Sequence, residues 1–406
     1  MPEPKRSSRR RVLQFGAALT GALTACKKQD APVEDTGPNR LGKAVSGYGE
    51  RSPFVQTQRK SRTTKTPEAA SSQTPLQDSY GIITPSSLHF ERHHAGVPQI
   101  KPETHQLLIH GMVDRPLIFT LDDLKRLPSV SRVYFVECSG NTGSEWGPKT
   151  APDAQRSHGL ASCSEWTGVP LSLLLAEAGL KGGASWLIAE GADACKMSRS
   201  IPIKKAMDDI LVAYGQNGEP VRPEQGFPLR LIVPGWEGNI NVKWLHRIKA
   251  VDQPVMARDE TSHYTDLMPD GTARQFTFVM EGKSLITFPS GGHKLKGAGA
   301  YEVTGLAWTG HGKITRVEIS ADDGKTWTDA QLQEPRHSMA FTRFRLPWKW
   351  DGGEVVLQSR CTDESGYVQP AKGALLEARG MNSQYHNNAI KSWKVIADGS
   401  VQNVDA

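Results

Sequence analysis

The pattern of apolar residues changes near residue 270 of this 406-residue chain, and the change limits the folds open to it. From about residue 80 to 255, strand-like runs alternate with helical ones, without the regular spacing of a βαβ array. After about residue 270, short alternating strands follow one another, and Asp323-Gly324 is a strong tight-turn signal. The sequence therefore predicts an α+β fold: a mixed α/β domain over residues 79–265, then an immunoglobulin-like β-sandwich over residues 266–400.

The first 26 residues have the features of an export signal. Paired arginines in Ser8-Arg-Arg-Arg-Val-Leu-Gln precede a modest apolar stretch, as in a twin-arginine signal. This predicts export of an already folded chain to the periplasm. Cys26 ends a Leu-Thr-Ala-Cys box, which fits either a lipid anchor on Cys26 or an ordinary cleavage site.

Residues 27–78 are rich in Lys, Arg, Gln, Ser, Thr and Pro and carry hardly any apolar pattern. Such a composition predicts a disordered linker. Most of the net charge of +6 belongs to the signal segment, so we expect no nucleic-acid partner.

Four cysteines follow Cys26, at positions 138, 163, 195 and 361. In an oxidising compartment they can pair, and the sequence does not decide the disulfide state of Cys163, Cys195 and Cys361. Cys138 ends the strand-like run 132–137 and precedes a Ser-Gly-Asn turn, which places a thiol where strand meets loop. It is a candidate nucleophile, a soft-metal ligand or a buried structural cysteine. The absence of Cys-x-x-Cys-His predicts that this chain carries no c-type haem.

Several stretches, in order along residues 80 to 400, resemble the sulfite oxidase family of molybdenum–pterin enzymes. They include Cys138-Ser-Gly-Asn, Ala189-Glu-Gly-Ala-Asp, Pro234-Gly-Trp-Glu-Gly-Asn and Glu260-Thr-Ser-His-Tyr. Within the family the resemblance is greatest to SoxC-type molybdenum subunits of sulfane dehydrogenases. It implies a molybdenum–molybdopterin cofactor, a molybdopterin-binding domain over residues 79–265 and a dimerisation role for the β-sandwich.

The resemblance assigns Cys138 as the protein ligand of molybdenum, beside the two sulfurs of the pterin dithiolene. A thiolate suits such a soft site. The resemblance places Tyr264, Arg92 and Arg379 around the substrate, where the arginines attract anionic sulfur species and the phenol stabilises developing negative charge. Arg379 can instead form an ion pair between the domains.

A further set of residues matches the family's contacts to the pterin and its phosphate. The family has Asn at the position of His93 and commonly His at that of Gln225. The adjacent histidines can also form a surface cluster, Arg230 a buried ion pair and Asp193 a simple turn. The set is Phe90, Glu91, Arg92, His93, His94, Asp193, Gln225, Arg230, Asn241, Val242 and Lys243.

One departure from the family bears on the substrate. Animal and plant sulfite oxidases follow Cys-Ala-Gly-Asn with two arginines, where this sequence has Thr142-Gly143. A less basic pocket suits a substrate that is carried on a protein rather than free sulfite.

The resemblance therefore implies oxidation of sulfane sulfur on a carrier-protein cysteine toward sulfate, with water as the oxygen source. The electrons would pass to a dihaem c-type cytochrome, and a homodimer of this chain would lie within a heterotetramer. The alternative is a sulfite dehydrogenase that acts on free sulfite. A binding module without chemistry predicts instead no molybdenum, and a Cys138–Cys163 disulfide would favour it.

Overall fold

The computed structural model describes residues 42–62, 66–147, 151–380 and 384–404. The predicted export signal and Cys26 lie outside these ranges. Residues from Thr57 onward form one compact unit, whereas the described residues 42–56 belong to a separate unit and are exposed. None of the described helices is both long and apolar enough to cross a membrane.

Two five-stranded sheets form the scaffold of the first half. One is antiparallel and consists of Val130–Glu137, Ala161–Pro170, Leu211–Gln216, Glu219–Pro220 and Arg230–Ile232. The other has the spatial order Leu117–Thr120, Gln106–Gly111, Leu245–Val251, Trp186–Gly191, Ser198–Pro202 and contains one parallel pair, between its second and third strands. An apolar core packs between these sheets and the helices beside them.

Two helices of this half begin or end at residues with clear local signals. Helix Leu121–Arg126 begins at Thr120, whose side chain and backbone form a capping box with Asp123. Helix Leu171–Ala178 ends at Gly179, which adopts a positive φ of 71°. The remaining described helices are short: the α-helices are Ala154–His158, Ile203–Ala206, Arg258–Ser262 and Lys372–Arg379, and the 3₁₀ turns are Pro67–Ala69, Leu76–Asp78, Ser86–Leu88, Gly143–Trp146, Pro223–Gln225 and Gly238–Ile240.

The second half is a sandwich of two antiparallel sheets around a core that contains Trp308, Phe344 and Trp393. One sheet consists of Lys283–Phe288, Gly299–Trp308, Thr342–Trp350 and Gln331–Leu332. The other consists of Thr328–Asp329, Ile314–Ser320, Val355–Asp363, Ser392–Val395 and Val401–Val404. A two-stranded ribbon, Asp266–Leu267 with Ala273–Arg274, lies between the halves in the chain. The α+β architecture predicted from the sequence is confirmed.

The predicted turn at Asp323-Gly324 forms, with φ values of 62° and 79°. The strand expected after it is divided. Thr328–Asp329 pairs with Ile314–Ser320, whereas Gln331–Leu332 pairs with Thr342–Trp350 in the opposite sheet. The chain therefore crosses between the two layers of the sandwich at Ala330.

The disordered linker predicted over residues 27–78 extends too far, because its last part contains folded segments. Lys60–Arg62 and Ser71–Gln73 form a three-stranded antiparallel sheet with Glu91–Arg92. Leu76 is fully buried in the core of the compact unit. The sequence gives no apolar strand pattern here, because these strands consist of polar residues and are stabilised mainly by backbone pairing.

Candidate active site

Cys138 directly follows strand Val130–Glu137 at the floor of a cavity. Its backbone N–H donates to Leu160 O (2.9 Å), and its carbonyl accepts from Asn141 N (2.8 Å), so the turn is fixed on both sides. The four described cysteines are all free, and Cys138 and Cys163 are not cross-linked. Burial raises the pKa of the Cys138 thiol, so that a thiolate at this place requires a cationic partner such as a metal ion.

The residue before the cysteine anchors the turn to the sandwich half. Glu137 is fully buried and accepts from Lys283 Nζ at 2.5 Å and from Trp308 Nε1 at 2.6 Å. Asn141 Nδ2 donates to the same carboxylate at 2.9 Å. Gly238 packs so closely that a Cβ there would lie 2.7 Å from Glu137 O, which excludes any larger residue. The position of Cys138 thus depends on both halves of the chain.

The cavity brings together residues that are far apart in the sequence. Twelve of the predicted site residues line it: Phe90, Arg92, His93, His94, Cys138, Asp193, Gln225, Arg230, Asn241, Val242, Lys243 and Tyr264. The sequence analysis missed seven further lining residues: His89, Val136, Cys195, Met197, Gly238, Asn239 and Trp244.

Two cations, one buried and one partly buried, contribute to the wall. Arg230 is 2% exposed, and Lys243 Nζ contacts two backbone carbonyls, His93 Nδ1 (2.9 Å) and the ring of Trp244. Within the described ranges, neither forms a salt bridge, so the structural ion pair considered for Arg230 is absent there. Burial lowers the pKa of Arg230 to about 9, and burial together with Arg230 lowers that of Lys243 to about 7. Two uncompensated cations at one cavity are suited to binding an anion.

Neutral hydrogen-bonding groups hold these cations in place. Gln225 donates to Phe90 O (2.8 Å) and accepts from Arg230 Nη1 (3.3 Å). Asn241 accepts from Arg230 Nη2 through its carbonyl oxygen (3.3 Å). Gln225 thus orients the guanidinium without adding charge of its own.

The histidine at position 93 is part of a hydrogen-bonded chain. Its Nε2 donates to Glu91 Oε2 at 2.8 Å, and its Nδ1 accepts from Lys243 Nζ. Glu91 also forms an ion pair with Arg59. Glu91 does not line the cavity, but its carboxylate contacts His93, which does.

Several buried polar atoms at the cavity have no hydrogen-bond partner among the described residues: Arg230 Nε, Asp193 Oδ1, His89 Nε2 and Asn239 Oδ1. Unpaired buried groups of this kind are costly, which indicates that a ligand satisfies them. The ligand must offer donors to Asp193 and an anion to Arg230 and Lys243. A molybdopterin, with amino groups, a phosphate and sulfurs that share a metal with Cys138, fits these requirements.

Comparison with known proteins agrees with this fit. Residues 94–258 match the model of an oxidoreductase molybdopterin binding domain, and residues 274–393 match that of a Mo-co oxidoreductase dimerisation domain. The chain is similar to the crystal structure of the sulfane dehydrogenase SoxCD from Paracoccus pantotrophus, with a TM-score of 0.89 and 46% identity, covering 92% of this chain and 98% of that one. The chain belongs to the sulfite oxidase family.

Curated relatives extend the similarity to other members of this family. Mitochondrial sulfite oxidase of Drosophila melanogaster is 33% identical over 342 residues, which cover 76% of this chain and 59% of the relative. The NADH nitrate reductase of Ulva prolifera is 30% identical over 346 residues, which cover 72% of this chain and 38% of the relative. The chain thus spans less than two thirds of the length of these relatives. Membership of the family implies a molybdenum–molybdopterin cofactor for the cavity at Cys138.

Arg379 is the predicted substrate residue that does not line the cavity. It is 5% exposed, and its guanidinium lies 3.8 Å from Asp266 Oδ2 and 3.4 Å from Glu281 Oε2. Arg379 and both carboxylates lie within residues 266–400, so these contacts are ion pairs inside the second half of the chain and not the ion pair between domains that was the alternative for this residue. Its role toward substrate remains a prediction.

The sequence analysis also missed a buried cluster of charged residues next to Tyr264. Arg199 is fully buried between Glu237 and Glu260, next to Tyr264. A charged residue in the strand-like run 198–202 was a usable signal, because arginine is almost never buried without partners.

Proposed function

We propose that this chain is the molybdenum subunit of a periplasmic sulfane dehydrogenase. It oxidises sulfane sulfur on a carrier-protein cysteine toward sulfate, takes oxygen from water and passes electrons to a dihaem c-type cytochrome. The observation that carries the proposal is the Cys138 cavity within a fold that matches the SoxCD chain over 98% of its length. A homodimer joined through the sandwich half, within a heterotetramer, completes the assembly.

The bound cofactor supplies a metal centre that accepts two electrons from sulfur. The chain's own residues hold it: Cys138 by its thiolate, Asp193 by accepting hydrogen bonds, and Arg230 and Lys243 by binding the phosphate. Arg92 adds positive charge on the Cys138 side of the cavity and favours the approach of anionic sulfur species. The Tyr264 hydroxyl can donate a hydrogen bond to oxygen on the reacting sulfur.

The turn after Cys138 supports a substrate that is carried on a protein. Thr142 adopts a left-handed conformation (φ 63°), and its Oγ1 donates to Asn387 O at 2.6 Å. Gly143 has no side chain. Neither position supplies the cation that the family's sulfite oxidases have there, so the binding of free sulfite loses one electrostatic contribution.

The test compares two substrates on the same holoenzyme with its cytochrome. We expect kcat/KM for carrier-bound sulfane to exceed that for free sulfite by at least about tenfold, because binding energy from the carrier contributes to the reaction. Carrier protein with an alkylated cysteine is the control and should give no turnover. The reverse preference would establish the alternative, a sulfite dehydrogenase.

An exposed basic surface beside the cavity supports an electron-accepting protein partner. His110, Lys249 and Ile188 lie side by side on the sheet face opposite the core formed by Ile109 and Ile248. Exposed Lys196, Lys249 and Arg258 line the same open pocket, and Cys195 lines both this pocket and the cofactor cavity. In the part of the chain that is described, none of these three cations forms a salt bridge. An acceptor with an acidic face fits this surface.

Charge reversal at this surface should slow electron transfer. For Lys249→Glu combined with Arg258→Glu, we expect the second-order rate constant of cytochrome reduction to fall about tenfold at low ionic strength, and the difference to shrink as salt is added. Turnover with the small acceptor ferricyanide should be unchanged. The matched control is Lys125→Glu with Lys181→Glu. Lys125 is exposed on helix Leu121–Arg126, and Lys181 is exposed in the loop after helix Leu171–Ala178. Equal effects of both pairs would place the docking surface elsewhere.

A further inference from the structure

A buried charged cluster lies behind Tyr264, outside the set of residues that hold the cofactor. Arg199 is fully buried; its Nη2 donates to Glu237 Oε1 at 3.0 Å and its Nε to Glu260 Oε1 at 3.3 Å. Glu260 also accepts from Ser200 N (2.5 Å) and Ser200 Oγ (2.9 Å). Two carboxylates thus fix the plane of one guanidinium.

The Arg199 guanidinium lies against the ring of Tyr264. Its central carbon is 4.6 Å from the ring centroid, within the range of a cation–π interaction. Tyr385 contacts the same ring at a centroid distance of 5.4 Å. Within the described residues, the Tyr264 hydroxyl makes no hydrogen bond, so contacts to the ring determine where the hydroxyl lies.

The same cluster reaches the turn that carries Cys138. Asn239 Nδ2 donates to Glu237 Oε2 at 3.0 Å and to Ser139 Oγ at 3.2 Å. His386 Nε2 donates to Glu237 Oε2 at 3.3 Å, and its backbone N–H donates to Ser139 O at 2.9 Å. Glu237 therefore joins the support of Tyr264 to the residue next to the metal ligand.

We propose that Arg199 is a positioning residue that fixes the Tyr264 ring, and hence its hydroxyl, relative to Cys138. A buried ion pair needs a reason to persist, because well-packed apolar residues are often at least as stable. The orientation of a hydroxyl that acts in the reaction supplies that reason. The inference rests on the proposed function, because Tyr264 acts only on a reacting sulfur substrate.

A double-mutant cycle tests the proposal on the purified holoenzyme. Arg199→Met alone should lower kcat by about tenfold to a hundredfold, with a smaller change in KM, because misplacing a reacting group has effects of this size. In a Tyr264→Phe background the same change should alter kcat less than about twofold, because the hydroxyl to be positioned is gone. If the two substitutions lower kcat independently, so that their fold-changes multiply in the double variant, the proposal is wrong.

The chain offers a matched control for a merely structural role. Arg360 is held by Glu318 at 2.8 and 3.2 Å and lies 4.3 Å from the ring centroid of Trp327 in the sandwich half. Arg360→Met should leave kcat unchanged. If Arg199→Met gives too little folded protein, Arg199→Lys is used instead, because lysine keeps the buried charge but loses the planar contact with the ring. The same double-mutant cycle with Tyr264→Phe then tests whether Arg199 positions Tyr264.

A second readout does not depend on activity. With 3-fluorotyrosine at position 264 of the apoprotein, we expect one sharp ¹⁹F resonance in the parent and in Arg360→Met, and a broadened or split resonance in Arg199→Met. An unchanged spectrum would contradict the proposal. A parent enzyme inactive on every sulfur substrate would refute the proposed function, and the ¹⁹F spectra would still decide the role of Arg199.

Discussion

Cys138→Ser should lower the rate of sulfur oxidation by about a thousandfold or more, while the protein stays folded. Serine preserves the size of the side chain but cannot supply the thiolate that a soft metal site needs. Burial already opposes ionisation at this position, as the raised pKa of the thiol shows, so a serine hydroxyl would not ionise in its place. Turnover per folded protein and molybdenum content by elemental analysis are the measurements.

Cys195 is the matched control for that experiment. It lines the same cavity and is also free, but its Sγ donates to Asp193 Oδ2 at 2.7 Å. Because serine can make the same hydrogen bond, Cys195→Ser should retain activity within a few-fold of the parent. Equal losses in both variants would mean that the cavity requires two thiols, and the assignment of Cys138 as the sole protein ligand would fail.

Arg230→Met should have opposite effects on the apoprotein and the holoenzyme. The burial that lowers the pKa of Arg230 to about 9 also makes its unpaired charge unfavourable in the apoprotein, so methionine should leave Tm unchanged or raise it. The cofactor loses its charge-assisted contact with this guanidinium, and we expect retention of molybdopterin to fall by at least about a hundredfold. Thermal unfolding of both forms and the pterin content after gel filtration measure the two effects.

The control for this variant is Arg222→Met. Arg222 pairs with Glu219 at 3.0 Å near the surface, and its loss should change neither cofactor retention nor Tm by much. A holoenzyme that keeps its pterin after Arg230→Met would show that the phosphate binds elsewhere in the cavity.

Local signals in the sequence predicted the elements that depend on local chemistry. The helix over residues 171–178 ends at Gly179, because glycine adopts the positive φ found there without steric strain. The strands at 60–62 and 71–73 were missed, since their residues are polar. Strand 60–62 pairs with 71–73, which in turn pairs with Glu91–Arg92. Whether a polar segment finds such a partner is decided by tertiary structure and not by its composition.

The residues of the site also divide into those that sequence motifs predict and those that only the tertiary structure brings together. Cys138, Arg230 and Lys243 were found because the motifs around them resemble a known family, and the structure gathers them at one cavity. The cluster of Arg199, Glu237 and Glu260 combines residues from three separate segments, and no spacing rule connects them. Arg379 was assigned by its motif, but its carboxylate partners come from segments that the motif does not describe.

The buried contacts from Lys283 and Trp308 to Glu137 make the turn at Cys138 depend on two structural modules. A truncated protein that ends before residue 283 would lose both of these donors and keep, of the contacts described for this carboxylate, the one from Asn141. A chimera that joins the first half to an unrelated second domain would therefore need a lysine and a tryptophan at the positions that contact Glu137.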